Sequence, residues 1–216
     1  DTYSGGVVNG SRVIPNGSGL YIYGAQLEEG SYPTSYIKSN SGSTTTRAAE
    51  TANGAGDAST FNDSEGVLMA EVSALEEGVS ERIISLSDET ASNNIYLSFS
   101  ASINTIYYLV VSGGVTQLSL PIMVSQKESN KLLIKYKSNS ISFWLNGFKV
   151  GETSVANAPS GLKNLSFSYP TNSINFYGKT KQIQYYNSAL TDSELEQLTS
   201  WTSFTDLANG QTYSIK

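Results

Sequence analysis

An all-β architecture, an antiparallel β-sandwich with one short C-terminal α-helix, is the fold this sequence predicts. Three observations carry that reading. Apolar residues recur at every second position through the stretch from 53 to 200. Gly113-Gly114 and Asn146-Gly147 punctuate those runs with residues that tolerate positive φ. One helical stripe, Leu190, Leu195 and Leu198, follows the last strand and starts at a capping box formed by Thr191 and Glu194.

The elements follow in order. Leu20 to Leu27 alternates as a strand, and Glu28-Glu29-Gly30 is a turn. Residues 38–52 are rich in Ser and Thr, lack periodicity and read as a linker. Leu68, Ala70, Val72 and Ala74 alternate with Met69, Glu71 and Ser73, which makes a half-buried strand. Arg82 to Leu86 is the next strand, and Asp88 to Asn94 is a turn. Ile95, Leu97 and Phe99 face inward from a third, while Ile106 to Val111 is apolar on both faces. Leu132, Ile134 and Tyr136 build another strand. Ile141, Phe143 and Leu145 lead into the Asn146-Gly147 hairpin, from which Phe148 to Gly151 returns. Ile183 and Tyr185 mark the last strand before the helix. Residues 201–216, with Trp201, Phe204 and Tyr213, form a tail expected to pack on the domain or on a partner chain.

The run from Lys131 to Gly151, with its strand-end Asn-Gly, and the strand-helix run from Lys179 to Thr199 resemble laminin-G/concanavalin A-like jelly-roll domains. That resemblance implies a jelly roll over 53–200 that recognises glycans or proteins. A second stretch, Gly24 to Ile37, followed by Thr46-Arg-Ala-Ala-Glu50, resembles the end of a carbohydrate-binding-type module in phage tail and fibre proteins. Residues 1–37 are therefore expected to be the terminal strand or strands of such a module, too short to bury a core alone. A chain opening on Asp1 rather than Met reads as either an expressed excerpt or a piece of a longer polypeptide.

Composition excludes several functions. Of the 216 residues 38% are hydrophobic and 15% charged, which suits one large sandwich or one sandwich plus a partial module. A net charge of -6 argues against nucleic acid, whose phosphates need clustered Lys and Arg. Lys131, Lys135 and Lys137 share one strand face, where lysines block edge pairing or solubilise. No membrane insertion is expected, since no apolar run approaches spanning length. With no Cys and no His, thiolate chemistry, imidazole acid/base work and Ser-His-Asp triads are ruled out.

Catalysis is not expected. A glycoside hydrolase needs two carboxylates flanking the scissile bond. Glu71 is alone on its strand, Glu76 and Glu77 would point oppositely, Glu28 and Glu29 lie in a turn, and Glu194 and Glu196 belong to the helix. Calcium is a candidate cofactor, because the resembled superfamily holds it at loop oxygens. Asp57, Asp63 and Glu65 are the candidate ligands, and Asx turns are the competing reading.

The binding candidates are aromatic and amide side chains opposite core-facing neighbours. Ser142, Trp144 and Asn146 oppose Ile141, Phe143 and Leu145. Tyr96 opposes Ile95 and Leu97, and Gln182, Gln184 and Tyr186 oppose Ile183 and Tyr185. If these strands share a sheet, its outer face offers rings for stacking and amides for sugar hydroxyls. The alternatives are a subunit interface and a face covered by the N-terminal strand. The resulting expectation is a non-catalytic, lectin-like domain of a phage tail fibre or similar virion appendage. It would contact host-surface glycans as a homo-oligomer, a trimer, or beside another virion protein. The alternatives are an extracellular carbohydrate-binding accessory module of a secreted enzyme or adhesin, and a purely structural decoration domain.

Overall fold

The computed structural model describes residues 54–201, together with Ser35, Tyr36 and Lys38. The chain divides into two compact units, 1–50 and 51–216, and nearly all described residues lie in the second. The expected upstream strand, the linker and the tail beyond Trp201 fall outside the described residues.

Among the described residues ten strands make two antiparallel sheets. They are β1 (Glu65–Ala74), β2 (Arg82–Ser87), β3 (Asn94–Phe99), β4 (Thr105–Ser112), β5 (Val115–Met123), β6 (Asn130–Lys137), β7 (Ile141–Leu145), β8 (Phe148–Thr153), β9 (Asn164–Ser166) and β10 (Gly178–Tyr186). One sheet has the order β10-β1-β6-β7-β8, the other β5-β4-β3-β2-β9. The fold is the sandwich that the alternation implies. Inward residues of the first sheet include Leu68, Ala70, Ile134 and Phe143. They close on Ile84, Leu86, Ile95, Leu97 and Val110 of the second. Tyr108 crosses between the layers. Its ring stacks on Phe143 at 4.9 Å and its hydroxyl donates to the Trp144 carbonyl at 2.9 Å.

Local signals fix the connections. Asn146 (φ 48°) and Gly147 (φ 91°) turn β7 into β8 in the left-handed region, as the dipeptide predicts. Strand β5 has no counterpart in the sequence reading, because Pro121 and exposed Ser119 break its pattern. The strand nevertheless forms, since it sits at a sheet edge where proline's missing donor costs no ladder bond.

The helix α1 (Asp192–Thr199) has the expected N-terminus. Thr191 Oγ1 accepts the Glu194 amide, and the Thr191 amide donates to Glu194 Oε2 at 2.8 Å. Leu195 is buried against Val67, Met69, Leu133 and Trp144, so the helix lies on the outer face of the first sheet. The lysine reading needs correction here. Strand β6 is central, between β1 and β7, so its lysines guard no edge. Lys135 instead pairs with Asp192 of the helix at 3.3 Å, Lys131 donates to the Ser200 carbonyl at 2.8 Å, and Lys137 pairs with Glu65 at 2.7 Å. Among the described residues no helix is long and apolar enough to cross a membrane.

This docking should respond to acid. The Lys149 ammonium beside Asp192, with Lys135, holds that carboxyl below its ordinary range, and the Thr191 hydrogen bonds do the same for Glu194. A carboxyl depressed in the folded state contributes stability above its unfolded pKa and loses it as pH falls through the folded value. The urea midpoint should therefore decline below about pH 4. A midpoint flat from pH 6 to pH 2 would contradict this account.

Candidate functional site

The structure divides the sequence-derived binding candidates among three places. Trp144 does project from the face opposite the core, but α1 covers it. The ring is 4% exposed, packed with Met69, Leu133 and Leu195, and its Nε1 donates to Ser142 Oγ at 3.1 Å. The covering element is the protein's own helix, whose stripe was legible but whose docking face was not. Asn146 serves its hairpin. Its Oδ1 accepts the Lys131 amide at 2.8 Å and its Nδ2 donates to Asn130 Oδ1 at 3.0 Å.

Gln182, Gln184 and Tyr186 come together along β10, as their spacing implies. They form a closed hydrogen-bonded ladder. The Tyr186 hydroxyl donates to Gln184 (2.6 Å), Gln184 to Gln182 (2.9 Å), and Gln182 to buried Glu71 (2.9 Å), which also takes Lys181 at 2.9 Å. The ladder ties up one hydrogen of each amide and fixes both side chains. At the β6, β7 and β8 end of the first sheet a polar cleft of about 460 Å³ is lined by Lys135, Ser142, Glu152 and Thr153 among others, with no aromatic ring.

Tyr96 lies elsewhere. Strand β3 belongs to the second sheet, so Tyr96 shares no face with Trp144 or with Gln182, Gln184 and Tyr186. It shares its outer face with two tyrosines that sequence reasoning missed. Tyr107 of β4 stands with its ring centroid 6.3 Å from that of Tyr96, and Tyr169 is edge-on at 6.2 Å. Tyr107 could have been found as the outward residue of a strand apolar on both faces. Tyr169 could not, because a long-range anchor places it. Ser85 Oγ on β2 donates to the Ser168 carbonyl at 2.6 Å. A tight turn closed by Asn172 (φ 58°), whose amide donates to the Tyr169 carbonyl at 2.7 Å, then aims the ring back at Tyr96.

Ile83, Ser85 and Ser98 are buried at the floor of this tyrosine face, Tyr96 is itself only 9% exposed, and the Tyr107 and Tyr169 rings are half-buried. The Tyr107 hydroxyl bonds Ser119 Oγ on β5. The hydroxyls of Tyr96 and Tyr169 have no hydrogen-bond partner among the described residues. Burial, then the Glu81 carboxylate and the two neighbouring tyrosines, push the Tyr96 hydroxyl well above its ordinary pKa, so it stays a proton donor. Stacking surface and unengaged hydroxyls are what a sugar ring requires.

The candidate calcium ligands do not converge. Asp57 Oδ1 accepts the Ser59 and Thr60 amides and hydroxyls in an Asx turn, Asp63 accepts the Gly161 and Leu162 amides, and Glu65 pairs with Lys137. Among the described residues no group of three acidic side chains is placed to hold a metal.

No protein-family model matches the sequence, and no curated protein sequence matches it. Solved structures do match in fold. The carbohydrate-binding module (CBM40) of Ruminococcus gnavus IT-sialidase, bound to α2,3-sialyllactose, superposes with a TM-score of 0.55 at 15% identity. The match covers 70% of this chain and 97% of that one. Leech intramolecular trans-sialidase gives a TM-score of 0.52 at 17% identity, covering 66% of this chain and 24% of that one. Streptococcus pneumoniae NanB sialidase gives 0.51 at 15%, covering 64% and 24%. At such identities the likeness establishes a shared jelly-roll fold.

Proposed function

We propose that this domain is a non-catalytic carbohydrate-binding module that holds glycans against Tyr96, Tyr107 and Tyr169. The observation that carries the proposal is the convergence of three tyrosine rings, two with unengaged hydroxyls, on one outer sheet face. The fold shared with a sialidase-borne module supports it. So does the lack of a paired carboxylate on that face, where β2 to β5 present no outward acid and Glu81 stands alone at the start of β2. The setting this favours is an extracellular accessory module of a larger enzyme or adhesin. The virion setting, with its trimer, rests on residues 24–37 and 46–50, of which only Ser35 and Tyr36 are described, and the similar solved structures cited are two sialidases and a module of a third.

The test is a glycan array followed by titration of the best ligand. Removing the Tyr107 and Tyr169 rings together, as Tyr107→Ala with Tyr169→Ala, should weaken binding by at least about tenfold, the loss of about 1.4 kcal/mol of stacking. The double variant should still unfold cooperatively. Undiminished binding by the folded double variant would remove the site from this face. Loss of binding on Gln184→Ala instead would move it to the β10 ladder.

A further inference from the structure

We infer that the tyrosine face selects glycans carrying a free amine, such as hexosamines, and disfavours carboxylated sugars such as sialic acid. The inference rests on the tyrosine face being the glycan site. Its basis is the charge of that face. Glu81 immediately precedes β2, is half-buried, and lies close enough to raise the Tyr96 pKa through its charge. Among the described residues it has no cationic partner, and its one hydrogen bond comes from Ser98 Oγ at 3.4 Å. Its position is set from both sides. The Ser80 carbonyl accepts Arg82 Nε at 3.2 Å, and the Arg82 side chain is buried on the core side of the same strand.

Among the described residues no cation balances this carboxylate on the face itself. Strands β3, β4 and β5 contain no Lys or Arg, and in β2 the one basic residue is the inward Arg82. Lys163, which leads into β9, is paired with Glu89 at 2.8 Å. Carboxylate recognition calls for a guanidinium or ammonium fork, which these strands lack. An ammonium has two attractions here, the unpaired Glu81 charge and the negative faces of the tyrosine rings. A sugar carboxylate meets the same two groups as repulsions.

Four probes test this by titration at pH 5.5, where the amines are protonated: a glucosamine trimer, its fully N-acetylated counterpart, lactose and 3′-sialyllactose. The glucosamine trimer should bind about fivefold or more tighter than the acetylated one. That gap should close in Glu81→Gln, and sialyllactose should bind no tighter than lactose. Equal binding of the two trimers, a gap that persists in Glu81→Gln, or tighter binding of sialyllactose each overturns the inference while leaving the glycan site standing. If no glycan on an array binds at all, both fall. If other glycans bind and none of the four does, the inference alone falls.

Discussion

Replacing Trp144 with alanine should destabilise the domain by about 3–5 kcal/mol, the range for removing a buried aromatic side chain. The ring fills the space between the outer face of the first sheet and α1. Val67, Met69 and Leu133 lie with it in one buried cluster with Leu195. Alanine leaves a cavity that the two elements cannot both collapse into. The sheet is fixed by its ladders, and the helix is held by Lys135 and Lys149 to Asp192. It also strips Ser142 Oγ of the indole donor. Against typical stabilities of roughly 5–15 kcal/mol, that loss brings a marginal domain close to unfolding. Urea denaturation measures it, and Trp144→Phe should recover most of the difference. A loss below about 1 kcal/mol for alanine would mean that the helix is not seated on Trp144 in solution.

This residue marks the boundary between what the sequence disclosed and what it did not. Alternation placed Trp144 opposite Ile141, Phe143 and Leu145, and that is its face. The capping box placed the start of α1 at Thr191, and the Leu190, Leu195 and Leu198 stripe was the surface the helix buries. Both halves of the contact were legible, but not their union, because periodicity reports a side chain's face and is silent on which element meets it. Tyr96 fails for the same reason. Its outward direction was readable, yet strands of opposite sheets carry the same pattern, so only pairing separates it from Trp144 and the β10 residues. Tyr169 depends on the Ser85 to Ser168 anchor, 83 residues apart in the chain, which no local rule reaches. Strand β5 was hidden by Pro121, whose tolerance depends on an edge position known only once the sheet is assembled.

The second large effect belongs to a residue that no motif singles out. Gln126 is wholly buried at one end of the sandwich, where it bonds three loops together. Its Nε2 donates to the carbonyls of Ser100 at 3.0 Å, Ser102 at 3.0 Å and Thr105 at 2.6 Å. Its Oε1 accepts Arg82 Nη2 at 3.0 Å, its amide donates to Glu77 at 2.9 Å, and its carbonyl accepts the Ala74 amide at 2.6 Å. The backbone bonds survive substitution and the side-chain bonds do not. Gln126→Ala therefore withdraws an acceptor from a buried guanidinium and the two amide hydrogens that the carbonyls share, orphaning Ser100 and Ser102 while Thr105 keeps the Ser100 amide at 2.9 Å. With each orphaned group costing about 1–3 kcal/mol, and water filling part of the gap, the net loss should be about 3–5 kcal/mol. Gln126→Glu separates the two contributions. A carboxylate is a better acceptor for Arg82 but has no hydrogen for the carbonyls, and it sets negative charge against three carbonyl oxygens. At pH 7 it should be nearly as destabilising as alanine. If it instead keeps wild-type stability in urea, the Arg82 bond alone closes this end of the sandwich and water satisfies the Ser100 and Ser102 carbonyls.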